Sequence, residues 1–159
     1  MIIRAVDLPR EGLRIDRGLQ IGPLSLGGDL ELGVRDATLE ARLIRHGEGL
    51  ACSGRLVATA MVPCSRCLEP YPLPVDRRFE VSYLPGPPPD PDEPEVQIHR
   101  EDLDVSFLDE EGTLAVEDMA AEQIYLEIPM KPLCSEECRG LCPGCGRNLN
   151  LEPCACRTA

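Results

Sequence analysis

Residues 39–62 read LEARLIRHGEGLACSGRLVATAMV, and their apolar positions recur every second residue on both sides of a glycine-rich break. Leu39, Ala41 and Leu43 alternate with Glu40 and Arg42. A period of two turns one face of a β-strand to a core and the other to water. His46-Gly47-Glu48-Gly49 then reads as a hairpin connection, because glycines supply the dihedrals that a tight reversal needs. The return strand carries Leu50, Cys52, Leu56, Ala58, Ala60 and Val62 on one parity.

The same pattern extends in both directions. Upstream, Leu30, Leu32 and Val34 alternate from Asp29 onward, after a loop at Pro23 to Gly28, and Met1 to Leu8 reads as a short strand followed by a polar turn. Downstream, Pro63 to Pro74 interrupts the pattern, and Val75, Arg77, Phe79, Val81 and Tyr83 resume it. These segments predict an antiparallel sheet, with closure into a barrel left open by the pattern. Pro85 to Glu95 (PGPPPDPDEPE) suits neither sheet nor helix, since proline removes the backbone donor, and predicts an extended linker. Val96 to Ile98 and Leu103 to Phe107 predict short edge strands. Leu114 to Ile128 predicts one amphipathic helix, with Val116, Met119, Ala120, Ile124 and Ile128 on one face and Pro129 as its stop. Glu117 and Asp118 suit the positive end of its dipole. The expected fold is therefore α+β. Residues 1–84 form the β domain, 85–95 the linker, 96–133 the edge strands and helix that complete that domain, and 134–159 a cysteine-rich metal-binding tail.

Composition narrows the functional classes. The chain has 159 residues, 43% of them hydrophobic, which excludes a wholly disordered, collagen-like or coiled-coil chain. No stretch reaches the roughly 18 apolar residues of a membrane span. Met1 to Gly12 lacks the basic-then-apolar layout of a secretory signal, so a cytoplasmic location is expected. The net charge of −12 lies wholly in residues 81–133, where Arg100 and Lys131 face fourteen acids. A nucleic-acid binder usually shows a basic face, and this chain has no global one. The acidic segment reads as a solvated connector or as a docking surface for a basic partner.

The nine cysteines are Cys52, Cys64, Cys67, Cys134, Cys138, Cys142, Cys145, Cys154 and Cys156, against two histidines. Clustered cysteines in a cytosolic chain point to metal rather than to disulfides. Two thiolates on a tight turn can converge on one ion, and Pro143, Gly144 and Gly146 in CPGCG provide such a turn. Eight ligands divide into two four-thiolate zinc sites. The preferred division sets Cys64 and Cys67 with Cys134 and Cys138, and Cys142 and Cys145 with Cys154 and Cys156. The alternative joins Cys134, Cys138, Cys142 and Cys145, and spacing alone does not choose. Four thiolates leave no open position on zinc, so the expected role is structural. Cys52, in a strand with apolar neighbours of its own parity, reads as a small buried hydrophobe.

Enzyme readings find little support. His46 and His99 sit in no motif, no phosphate-cradling loop is present, and Asp102, Asp104, Glu110 and Glu111 fall in a solvated acidic run. The remaining rivals are a zinc–thiolate redox switch, a metal-stabilised interaction adaptor and an iron–sulfur carrier. A DNA-binding finger is disfavoured by the absence of a basic recognition helix.

The motif Cys64-Ser65-Arg66-Cys67-Leu68-Glu69-Pro70, with IPMKPLCSEECRGLCPGCGRNLN at 128–150 and the closing EPCAC, resembles the YceD family of bacterial and plastid proteins. The resemblance implies a role in accumulation of 23S rRNA, and hence in large ribosomal subunit biogenesis, without enzymatic chemistry. It also implies that genes of the family commonly lie beside that of a small zinc-binding ribosomal protein. Two mechanisms follow. Direct rRNA binding would need Arg66, Arg77, Arg78, Arg139 and Arg147 on one face, with few aromatics to stack bases. Escort of a basic ribosomal protein is the mechanism that the charge favours.

Overall fold

The computed structural model describes residues 1–25, 27, 31–47, 49–86 and 105–156. Their elements run in chain order as β1 (Ile2–Arg4), a 3-10 turn (Ala5–Asp7), β2 (Leu13–Gly18), β3 (Leu24–Ser25) and β4 (Glu31–His46). β5 (Gly49–Pro63), β6 (Pro70–Leu84), β7 (Val105–Phe107), β8 (Thr113–Ala115) and α1 (Val116–Glu127) follow. The hairpin read from residues 39–62 is the centre of the sheet. β4 and β5 pair antiparallel through Leu43↔Cys52 and His46↔Gly49, and β6 joins β5 through Cys52↔Val81 and Val62↔Tyr71.

Parity explains the one irregularity in β4. Leu32 is buried on even numbering, whereas Ala37, Leu39, Ala41 and Leu43 are buried on odd numbering. A bulge between Arg35 and Thr38, with Asp36 at φ 52°, absorbs the extra residue and lets both runs face the core. Gly54 marks a close approach of β5 to β4, since a Cβ there would sit 2.5 Å from the Glu40 carbonyl oxygen. Cys52 is fully buried in this core, and burial pushes its thiol up to about 12, so it packs as a neutral hydrophobe.

The strand order is β2-β4-β5-β6-β7, with β3 on β4, and β1 pairs β8 separately. The sheet is thus open, not a barrel. Its last pair, β6–β7, is parallel and only three residues long, where an antiparallel edge was expected. Along the first half of β6's outer edge, Pro70, Pro72 and Pro74 share one parity and offer no donor to a further strand. The same parity lets the ladder to β5 continue through a proline run that reads in sequence as a turn, so β6 begins at Pro70 rather than at Val75. The helix begins at Val116, two residues later than expected, because Leu114 and Ala115 are drawn into β8 by Ile2 and Ile3. The linker beyond Gly86, the strand expected at Val96 to Ile98, and Leu103 and Asp104 lie outside the described residues.

The helix covers the sheet's apolar face, packing on β5 and β6. Val116, Met119, Ala120 and Ile124 join Leu56, Ala58, Ala60, Val75 and Phe79 in one core. Arg77 belongs to the core-facing parity of β6, and the helix supplies its partners. Its Nε donates to Gln123 Oε1 at 3.0 Å and its Nη1 to Glu127 Oε1 at 2.7 Å. Gln123, only 2% exposed, is thereby satisfied.

Candidate metal centres

The turn between β5 and β6 is built by the CSRCLE residues themselves. Pro63↔Pro70 closes the ladder, the Cys64 amide donates to the Glu69 carbonyl at 3.0 Å, and the Leu68 amide donates to the Cys64 carbonyl at 2.9 Å. Leu68 takes a left-handed φ of 63° to complete the reversal. Cys64 and Cys67 therefore leave one tight turn on the same side.

The tail is carried to this turn by main-chain and arginine contacts. The Ser65 amide donates to the Pro132 carbonyl at 2.8 Å, and Arg66 Nη1 donates to the carbonyls of Glu136 at 3.0 Å and Cys138 at 2.9 Å. Gly140, at φ 72°, passes so close that a Cβ would lie 3.0 Å from the Arg66 carbonyl oxygen. This path brings Cys134 and Cys138 onto Cys64 and Cys67, all four sulfurs lying within 4.8 Å of one another.

The second turn is CPGCGR. The Gly146 amide donates to the Cys142 carbonyl and the Cys142 amide to the Arg147 carbonyl, each at 2.8 Å. A bridge between Leu141 and Asn148 closes it. Cys154 and Cys156 fold back onto Cys142 and Cys145 to make a second group of four sulfurs within 4.8 Å. Of the two divisions that spacing leaves open, the geometry has the one joining Cys64 and Cys67 to Cys134 and Cys138.

Both groups fit a tetrahedral ion. Thiolates about 2.3 Å from zinc stand about 3.8 Å from each other, whereas a disulfide needs about 2.05 Å. The Sγ–Sγ separations are 3.8 Å for Cys64–Cys138, 3.8 Å for Cys67–Cys134 and 3.4 Å for Cys145–Cys154. Donors also point at the sulfurs: the Arg66 amide at Cys64 (3.4 Å), Asn150 Nδ2 at Cys138 (3.2 Å) and the Cys156 amide at Cys154 (3.2 Å). Such bonds orient and stabilise thiolate ligands.

The acidities within each group are split. Burial opposes ionisation of Cys64, but the amides of Cys134, Cys67 and Arg66 outweigh it and hold the thiol down at about 6. Cys134, whose sulfur bonds Cys138 and is partly desolvated, is pushed up to about 12. The amides of Gly144 and Cys145 hold Cys142 near 7, while Cys154 and Cys145 push Cys156 up to about 12. Four thiolates this close repel one another, and a bound cation removes that conflict. The groups differ in exposure. Cys64, Cys67 and Cys138 are buried with Tyr71, Leu133 and Leu141 packed against them, whereas Cys145 and Cys156 are exposed.

Asn150 is the residue that the cysteine pattern does not announce. Besides its bond to Cys138, its Oδ1 accepts from the Arg139 amide at 2.8 Å and its Nδ2 donates to Asn148 at 3.0 Å, linking the two turns. The five arginines do not gather as a free face. Arg66 donates to tail carbonyls, Arg77 to the helix and Arg147 pairs with Glu152 at 3.1 Å, although Arg66 and Arg147 are exposed, as are Arg78 and Arg139. His46 ends β4 at the hairpin, and His99, Asp102 and Asp104 lie outside the described residues.

A family model described as "Large ribosomal RNA subunit accumulation protein YceD" matches residues 52–159. Uncharacterized proteins of Mycobacterium bovis and Mycobacterium tuberculosis are 31% identical over 136 residues, and one of Mycobacterium leprae is 23% identical over 140. These matches cover 86% of the chain, which spans 59% of the length of the M. bovis and M. tuberculosis proteins and 56% of that from M. leprae. No solved structure matches the chain.

Proposed function

We infer the role of this chain from one premise: it belongs to the YceD family, whose model is described as a large ribosomal RNA subunit accumulation protein. It acts in the cytoplasm as a non-enzymatic factor for large-subunit biogenesis, supporting 23S rRNA accumulation by escorting a basic ribosomal protein. The observation that carries the escort mechanism is the fate of the arginines. Arg66, Arg77 and Arg147 are engaged within the chain, while the net charge of −12 falls in residues 81–133. A phosphate-binding face needs free cations, and a carrier for a basic protein needs the reverse.

The two cysteine groups serve as structural zinc sites, with Cys64, Cys67, Cys134 and Cys138 on one ion and Cys142, Cys145, Cys154 and Cys156 on the other. Zinc bound there supplies cross-linking energy, of order 10–16 kcal/mol per site in small finger peptides, to a tail with few apolar residues. The chain's own part is to hold the thiolates, through Arg66, Asn150 and the turn amides. Crosslinking in growing cells tests the escort. The expected catch is a basic protein of the large subunit, with little direct crosslink to rRNA; rRNA as the main partner would overturn it.

A second reading rests on the exposed Cys145 and its 3.4 Å neighbour Cys154. Mild peroxide would join these sulfurs and release the tail ion if the tail were a redox switch. Reversible zinc loss with a matching change in partner binding would favour it over a static staple.

A further inference from the structure

The acidic excess has a focus. Where the end of β6, the β7–β8 loop and α1 meet lies a cavity of ≈ 190 Å³, lined by Tyr83, Asp109, Thr113, Asp118, Met119 and Glu122 among others. Three carboxylates border it, and no basic side chain among the described residues does. Asp109 is held as an anion: the Thr113 hydroxyl, the Thr113 amide at 2.7 Å and the Glu111 amide at 3.0 Å all donate to it. Asp118 and Glu122 stand one helical turn apart, where like charges repel. Burial, reinforced by Asp118, makes ionisation of Glu122 harder.

Tyr83 supplies the independent sign of a missing partner. Its side chain is 2% exposed, and its hydroxyl has no hydrogen-bond partner among the described residues. A buried hydroxyl is ordinarily paired. A second cavity shares Asp109 and is bordered by Glu110 and Glu111, so the acidic lining extends beyond the first.

We propose that this cavity is a binding site for the cationic head of a lysine or arginine side chain from a basic protein partner. A primary ammonium or guanidinium would neutralise the Asp118–Glu122 pair and give the Tyr83 hydroxyl a donor to accept from. A divalent ion fits less well: among the described residues only the two cysteine groups bring their ligand atoms to metal-binding separations. The head would enter the cavity while neighbouring cations of the same segment lie against Glu110 and Glu111. The proposal rests on the escort reading and specifies where the escorted protein is gripped.

The test is fluorescence anisotropy of a fluorescein-labelled peptide of alternating Lys and Gly, titrated with the zinc-loaded full chain at near-physiological salt. Asp118→Asn with Glu122→Gln is expected to weaken binding about tenfold or more. Tyr83→Phe, which changes no charge, is expected to weaken it about threefold. Asp16→Asn with Glu31→Gln removes the same charge from β2 and β4 and is expected to change binding less than about twofold. Equal losses in both charge pairs would show diffuse attraction and overturn the proposal, as would unchanged binding by Tyr83→Phe. Crosslinking separates the layers. If the wild type captures a basic ribosomal protein and the cavity variants capture it equally, the cavity proposal alone falls. If the wild type crosslinks rRNA instead, the escort reading falls as well.

Discussion

Asn150 shows how much of a cysteine site depends on residues that are not cysteines. Removing its side chain leaves the Arg139 amide without its partner and takes one donor from the Cys138 sulfur. Asn150→Ala should lower the zinc affinity of the first group roughly tenfold, measured by competition with a coloured chelator. The eight cysteines were legible from their turns as candidate ligands. The role of Asn150 was not, because an asparagine in a polar tail has no periodicity or spacing that separates it from a loop residue. Proton counting gives a second prediction at this scale. Cys134 and Cys156 are pushed up to about 12, and Cys67 and Cys154 are also raised, so they carry protons at neutral pH before an ion binds. Zinc must displace those protons, about two or more per ion at pH 7, and acidification must weaken binding. Calorimetry in buffers of different ionisation enthalpy measures the release; affinity that does not fall from pH 7 to pH 6 would contradict the thiolate assignment.

At the scale of elements, the fold is a long hairpin with a helix laid on it. The hairpin was legible because residues 39–62 alternate on both sides of the glycine-rich turn, and the parity change between Leu32 and Leu39 matches the bulge found at Asp36. The edge was not. Three residues of β7 are too few to display a period, and the prolines of β6 conceal a strand by obeying edge-strand chemistry. The arginine at the sheet–helix contact is the element most open to test. Arg77→Ala strands the buried Gln123 and releases Glu127, and should cost about 2 kcal/mol in urea unfolding. Arg77→Lys should not restore it fully, since lysine lacks the fork that reaches both partners. Gly54→Ala should cost a similar amount, about 2 kcal/mol, by driving a methyl against the β4 backbone. A Gly54→Ala chain as stable as the parent would mean that β4 and β5 do not approach so closely.

For the whole molecule, the tail and the sheet are joined chiefly where Cys64 and Cys67 meet Cys134 and Cys138. That meeting spans about half the chain, and sequence spacing could favour it but not decide it, because long-range closure depends on where the β5–β6 turn lies relative to the end of α1. Cys64→Ser should reduce bound zinc by about half and expose the tail to proteolysis while leaving the hairpin's amide protection in place. Full zinc content in that variant would contradict the shared site. The acidic excess of residues 81–133 and the cysteine-rich tail are the features from which we propose a carrier for large-subunit assembly, and cells depleted of the protein test that proposal most directly. The measurement is the ratio of 23S to 16S rRNA. A selective fall in 23S, restored by the wild-type chain, is the predicted result. An unchanged ratio in depleted, slow-growing cells would contradict the account.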